Sequence, residues 1–539
     1  MSSWAGHPAV KGSSETVRMM LLTFSSVGMT FTWGVEMTYC TPYLLSLGLS
    51  KGQTSLVWIA GPLSGLIVQP VIGVISDQSK SRWGRRRPII AAATAVVVCS
   101  LLTLGFTREI VGFFIEDRRT AKVPTIALAV LALYATDFAI NAVMSCSRSL
   151  VVDTLPAQKQ QAGAAWASRM SSLGNVAGYA LGAVDLVKVF GTTLGDTQFK
   201  QLTVIAALAM STSSAITCWA VTERVLLSVK QDSRHQAEGH FNVFKQIWST
   251  LLTLPPRIQA ICWAVFWSWI GWFPFLIYSS TWVSETYFRY DVPEDAKDSG
   301  DALGSMGRIG SMALTVYSIV TFLSAWILPL FIKSPEEETF THRPPASIAP
   351  WIKKLNKIKP DLLTAWFCSH LIYSAAMSLA PFAASFRFAT VLVAICGLPW
   401  TIAMWAPTTF LGVEVNKLGS NGDGMGGSYR RLSVGSSNIE MTPRDAPPPP
   451  PSGNTGELSG VYFGILNIYT TLPQFIGTFM STVIFALLEP GKSPELATDA
   501  HPSEHSDTSG PNAISVCLFV GALSTLCAAY ATRKLRYIP

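Results

Sequence analysis

The sequence predicts an all-α membrane protein with twelve transmembrane helices, and three observations carry that prediction. Of its 539 residues, 49% are hydrophobic and 14% charged, whereas soluble domains carry about a quarter charged residues. The apolar residues gather into about twelve stretches, each near the roughly 20 residues that a helix needs to cross a bilayer core. Lysine and arginine concentrate in alternate connecting segments, as they do on the inner side of multi-pass chains.

In order, the predicted spans cover residues 19–47, 55–75, 88–107, 124–152, 161–186, 201–221, 258–284, 306–332, 361–382, 386–411, 458–488 and 512–532. Gly61-Pro62, Pro70, Pro274, Pro329, Pro399, Pro407 and Pro473 interrupt them. Such breaks are tolerated where neighbouring helices satisfy the freed backbone groups. The segment before the first span, MSSWAGHPAVKGSSETVR, is polar and lacks the short apolar core of a signal peptide.

With the N-terminus inside, the inner segments hold well over half of the 40 lysines and arginines, so the expected topology is N-in, C-in. The loops at 222–257 and 333–360 supply much of the excess. The outer loop after the seventh span is acidic, with Glu285, Asp291, Glu294, Asp295, Asp298 and Asp301. One outer segment, 108–123, opposes the trend with Arg108, Arg118, Arg119 and Lys122.

The expected organisation is a tail (1–17), a six-helix bundle (18–221), a central inner loop (222–257), a second six-helix bundle (258–532) and a tail (533–539). Two bundles facing a central cavity is the plan of many secondary transporters. Residues 419–457 and 490–511 read as unstructured. The first combines Gly, Ser and a proline run, too polar to bury a core, and its RRLS (430–433) has the form of a phosphorylation site. The nine cysteines lie mostly within apolar runs, with no CxxC pair or metal-ligand spacing, so no metal and no cofactor is expected.

Phosphate-loop, HExxH and G-x-S-x-G patterns are absent, which argues against an ATP-driven pump or hydrolase. The net charge of +7 points to basic inner loops rather than a nucleic-acid partner.

Ionisable groups at membrane depth cost about 2.5–3.5 kcal/mol each on insertion scales and are functional candidates. Asp137 and Arg148 are eleven residues apart in the fourth span. That separation brings them to within about 20° of one helix face with a rise of about 16 Å, too far for a direct ion pair. Asn141 shares the face and can bond the Asp137 carboxyl or a ligand hydroxyl. A carboxyl enclosed in a low-dielectric cavity can hold a proton at neutral pH and release it when water or a cation approaches. Glu36, a second intramembrane carboxyl, can pair with an arginine or share that proton.

The stretch WIAGPLSGLIVQPVIGVISDQSKSRWGRRRPIIAAA (58–93), with TPYLLSLGL (41–49), TDFAINAVMSCSRSLVVD (136–153), GNVAGYALG (174–182), WIGWFPFLIY (269–278), GRIGSM (307–312), GLPW (397–400) and GILNIYTTLPQ (464–474), resembles the plant and fungal sucrose and α-glucoside transporters. Those proteins form the glycoside–pentoside–hexuronide:cation symporter family within the major facilitator superfamily. The resemblance implies that superfamily's fold and a proton-coupled symporter of sucrose or related α-glucosides such as maltose. It implies that Asp137 is the proton site and touches sugar, that Arg148 serves sugar binding and coupling, and that Arg308 serves coupling. For Glu36 it implies no role.

Asp77, Arg82, Gly84, Arg85 and Arg86 match the superfamily's loop motif between helices 2 and 3, a charge latch that stabilises the outward-open state. Further sugar-contact candidates are Asn175 and Tyr179, one turn apart, Gln474 in an apolar span, and Trp272 and Phe273 among the aromatic residues of the seventh span. The expected partners are sugar, proton and lipid, the transport unit a monomer, and the location the plasma membrane, with a vacuolar or other internal membrane as the alternative. An uncoupled carrier or a sugar sensor with weak transport is the rival reading.

Overall fold

A computed structural model of the chain describes residues 3–5, 7–77, 79–155, 157–228, 253–292, 302–332, 359–422, 454–494, 496–497, 501, 504–506 and 510–538. Two short strands, β1 (Ser3–Ala5) and β2 (Ala9–Val10), precede the first helices. The first half then runs α1 (Glu15–Thr23), α2 (Ser25–Val35), a π-helical turn (Glu36–Cys40), α3 (Thr41–Ser46), α4 (Lys51–Val57), α5 (Ala60–Asp77), α6 (Arg87–Gly105), α7 (Thr107–Phe114), α8 (Arg118–Thr154), α9 (Ala157–Ala183), α10 (Leu186–Phe190) and α11 (Gln198–Ala220). After β3 (Val221–Thr222) and β4 (Val225–Ser228) come α12 (Pro256–Tyr290), α13 (Ala302–Phe331), α14 (Leu362–Ser378), α15 (Phe386–Ile395), α16 (Gly397–Gly422), α17 (Asn454–Leu488) and α18 (Ala513–Lys534).

Among the described residues, ten helices are long and apolar enough to cross a membrane, against twelve predicted. The other two predicted spans are helical but different in kind. Residues 19–47 are broken into α1, α2, the π turn and α3. The break has a local cause: Pro42 has no N–H to bond the carbonyl four residues back, and its ring crowds that carbonyl, so the helix widens before it. Residues 161–186 fall largely within α9, whose Gln, Ser, Arg and Asn lower its hydropathy.

The helices pack in two sets. In the first half α2 lies on α9 and α11, α6 on α8 and α11, and α5 on α8; in the second, α12 lies on α17 and α18, and α14 on α16 and α18. The halves meet where α9 runs along α13 and where α4 abuts α17. Small residues permit the closest approaches. A Cβ on Gly307 of α13 would fall 1.9 Å from Tyr39 Cε1, and Tyr39 donates its hydroxyl to the Gly182 carbonyl at 2.7 Å.

Outside the bundle the structure departs from the expectations. The N-terminal tail is clipped to the chain leaving α11: β2 pairs antiparallel with β3, and β1 with β4. Residues 419–422 continue α16 and 454–457 begin α17. The rest of the segment read as unstructured, including RRLS, lies outside the described residues. The 490–511 loop also has order. Lys492 and Ser506 exchange backbone bonds with their neighbours (Lys492 N to Glu504 O, 2.9 Å; Ser506 N to Lys492 O, 2.9 Å), and Leu496 packs with Leu45, Phe288 and Met306.

Candidate functional site

Glu36 and Asp137 are both buried, the first at the start of the π turn and the second midway along α8. Their carboxyls face each other within electrostatic reach. Beyond this mutual approach, both Glu36 oxygens and Asp137 Oδ2 are buried without a hydrogen-bond partner among the described residues. No arginine meets Glu36 among the described residues, so of its two expected roles the ion pair falls. A small cavity lined by Glu36, Cys40, Leu104, Thr136, Phe199 and Thr203 adjoins the pair.

Asn141 is close to Asp137, as its spacing predicts, but its amide is engaged elsewhere. It donates to Ser64 Oγ (2.8 Å) and to the Asp137 backbone carbonyl (3.0 Å), and accepts from Gln69 Nε2 (3.0 Å). It therefore stitches α5 to α8 and does not bond the Asp137 carboxyl. Gln69 went unnoticed in the sequence although it stands in the VQP of the long motif. Arg148, further along the same face, is exposed and has no ion-pair partner among the described residues.

The remaining candidates are spread over both halves. Asn175 and Tyr179 are half-buried on α9, and Tyr179 stands opposite Tyr317 of α13 within electrostatic reach. Trp272 is 1% exposed and packed among Tyr373 (4.2 Å between centroids), Trp400 (5.0 Å) and Phe275 (5.5 Å). It is enclosed in the second half in this conformation. Phe273 is buried near Gly477 of α17. Gln474 donates to the Thr470 carbonyl of its own helix at 3.1 Å. Arg308 approaches Asp185 of the other half at 3.6 Å and donates to Ser305 Oγ at 3.0 Å.

The basic loop between α5 and α6 is seated on two carboxylates. Arg85 and Arg86 both pair with Asp153 at the end of α8, Arg86 at 3.0 Å. Glu223, just beyond α11, accepts the backbone N–H groups of Arg85 (2.9 Å), Arg86 (2.9 Å) and Arg87 (2.8 Å). Successive backbone donors around one anion make a nest. Gly84 is required twice here: its φ is +104°, and a Cβ would lie 2.6 Å from the Glu223 side chain. Arg82 is exposed. Asp77 ends α5, and its side chain lies outside the described residues.

At the opposite end of the bundle, the outer end in the predicted orientation, four charges are buried together. Lys51 at the start of α4 donates to Glu285 Oε2 at 2.8 Å and also pairs with Glu489. Arg289 donates to Glu489 Oε1 at 2.7 Å. Asn512 Nδ2 and the Ala513 N–H add bonds of 2.8 and 3.0 Å to the two carboxylates. Side-chain exposure is 7% for Lys51 and 1% for each glutamate. Two positive and two negative groups cancel, which allows their burial. Of these residues the sequence alone places Glu285 in an acidic outer loop, whereas in the structure it lies near the end of α12, four residues before Arg289.

The Major Facilitator Superfamily profile matches residues 19–327. The chain belongs to the Major Facilitator Superfamily. It is a multi-pass membrane protein with that superfamily's fold. The general alpha-glucoside permease of Schizosaccharomyces pombe is 29% identical, over 97% of this chain and 94% of the permease. Sucrose transport protein SUC4 of Arabidopsis thaliana is 26% identical over 90% of this chain and 88% of its own length. Two solved structures share the fold at low identity. A bacterial homologue of the lysosomal transporter Spinster has a TM-score of 0.55 at 13% identity, covering 98% of both chains. A D-xylose-proton symporter has a TM-score of 0.53 at 10% identity, covering 97% of this chain and 98% of that one.

Proposed function

We propose that the protein is a proton-coupled carrier of α-glucosides such as maltose, or of sucrose. Relatives named for an alpha-glucoside permease and for sucrose transport support the substrate class. The observation that carries the coupling is the buried Glu36–Asp137 pair. Two carboxyls enclosed side by side without a cation cannot both stay ionised, because each charge disfavours the other and neither is hydrated. A proton held between them makes the pair neutral, and its departure makes the site negative.

In the proposed cycle the two bundles (18–221 and 258–532, N-in and C-in) rock about a site near the membrane midplane. Lys51 releases the second half, the outer side opens, and a proton loads on Asp137 with Glu36. Sugar then binds between α8, α9 and the second half, with Asn141 holding α8 in register and Asn175, Tyr179, Phe273 and Gln474 within the contact layer. Trp272 enters that layer only if its aromatic cluster opens. Arg148 and Arg308 stand along the inner and outer approaches. The loop carrying Asp77, Arg82, Gly84, Arg85 and Arg86 governs the inner side, and Asp77→Asn is expected to shift the carrier inward, seen as lower labelling of an outer cysteine. A monomer in the plasma membrane fits this reading.

Purified protein in proteoliposomes tests it. Labelled maltose or sucrose should accumulate when the outside is made acidic, and a protonophore should abolish accumulation. Equilibration without accumulation, unaffected by the protonophore, would make the protein an uncoupled carrier.

A further inference from the structure

The second half holds a buried aromatic cluster, and two of its polar tips make no short hydrogen bond. Phe275 of α12 links Trp272 at 5.5 Å to Tyr317 at 5.7 Å, and Tyr373 lies against both Trp272 and Phe275. Tyr373 finds a partner, donating to the Gly271 carbonyl at 2.8 Å. The Trp272 indole N–H is buried with no hydrogen-bond partner, and the Tyr317 hydroxyl is buried with no short hydrogen bond, only the Thr321 hydroxyl of its own helix standing within reach. Native interiors leave few such groups.

The two groups differ in position. Trp272 is walled in by Tyr373, Trp400 and Phe275. Tyr317 occupies the middle of α13, the helix that runs along α9 at the seam between the halves, with Tyr179 of α9 within electrostatic reach. A phenol is both donor and acceptor, so it can meet a sugar hydroxyl in either sense. The Thr321 hydroxyl already donates to the Tyr317 backbone carbonyl at 2.9 Å, so the Tyr317 phenol has at most a long contact to give up when a ligand hydroxyl arrives as the halves part.

We infer that Tyr317 is a specificity-determining residue of the sugar site, contributing the second half's hydrogen bond to one ring hydroxyl while Tyr179 faces the same ligand from the first half. The inference rests on the α-glucoside reading above. A site built around a ligand hydroxyl discriminates strongly against analogues that lack it, since its own polar group is then left buried and unpaired.

The test is binding of maltose and its monodeoxy analogues to the full-length protein in nanodiscs, wild type against Tyr317→Phe. The variant should melt close to the wild-type temperature, because the removed hydroxyl makes no short hydrogen bond in the protein. Its affinity for maltose should fall about tenfold, which corresponds to about 1.4 kcal/mol. One deoxy analogue, weak with wild type, should lose nothing further with the variant, which identifies the hydroxyl contacted. Unchanged maltose affinity, or an equal loss for every analogue, would overturn the assignment. Wild-type protein that bound neither maltose nor sucrose would instead overturn the glucoside reading, and this inference with it.

Discussion

Lys51 and Arg85 are both cations of the first half, and both pair with carboxylates, but their partners differ. Lys51 reaches into the second half, to Glu285 and Glu489. Arg85 and Arg86 pair with Asp153, and Arg87 approaches Glu223 at 3.6 Å, all within the first half. On the second half's inner end Arg257 likewise keeps to its own side, with Glu414 at 3.2 Å. The inner crossing between the halves rests on softer contact, Arg169 stacked between Trp166 (4.8 Å) and Trp326 (4.7 Å). The difference separates two jobs. In the proposed cycle, charges that cross the seam would set which side is shut, whereas charges inside one half would keep that half rigid as it moves. A buried pair adds little net stability, but breaking one by removing a partner costs about 3–5 kcal/mol, so in the proposed cycle this network is expected to act as the outer lock.

Removing Lys51 should therefore have the largest effect. Lys51→Met leaves Glu285 and Glu489 without the first half's cation, and the outer seam should open. The readout is labelling of a cysteine at Ser55, which is buried and donates to the Thr478 carbonyl across the seam at 3.1 Å. It is read in a background lacking the exposed Cys99, Cys368 and Cys527. Labelling should rise tenfold or more; wild-type protection in the Lys51→Met protein would mean that the lock lies elsewhere.

Glu223→Ala should act differently. It strips the acceptor from three backbone N–H groups and should lower stability by about 1–3 kcal/mol, visible as a lower melting temperature. Labelling at Ser55 should hardly change, and a large increase there would erase the distinction between the two ends. Gly84→Ala attacks the same seat through its positive φ and the Glu223 contact, with a cost of about 1–3 kcal/mol. Arg308→Ala should be mildest. Its pair with Asp185 crosses the seam, but both side chains are about a quarter exposed (24% and 26%), so solvent screens the pair to under about 1 kcal/mol. A labelling change as large as that of Lys51→Met would show that exposed and buried ties count alike.

The sequence made one of these regions far easier to read than the other. The inner loop announces itself because its glycine and arginines are contiguous, and because a residue confined to φ > 0 beside a charge run has a recognisable form. The outer lock has no such form. Glu285 and Arg289 stand one helical turn apart, but Lys51 and Glu489 join them only when three helix ends converge, and no periodicity relates those ends. The same holds for the proposed coupling site. Helical spacing put Asp137, Asn141 and Arg148 on one face, but it could not bring Glu36 from the first span to Asp137, nor reveal that Asn141 is occupied by Ser64 and Gln69. The π turn that carries Glu36 was hidden for a related reason, since hydropathy counts apolar residues and does not register a widened turn. Helix ends were misjudged at 419–422 and 454–457 because polar residues outside the apolar stretch still favour continuing a helix once it is nucleated.

The central claim is that the Glu36–Asp137 pair holds the coupled proton. Its most direct test is the proton flux that accompanies maltose entry into proteoliposomes, recorded with an internal pH dye for wild type and Asp137→Asn. The account predicts inward proton movement with maltose in the wild type, and none in the variant even where maltose still exchanges across the membrane. Proton movement of wild-type size in Asp137→Asn would contradict it.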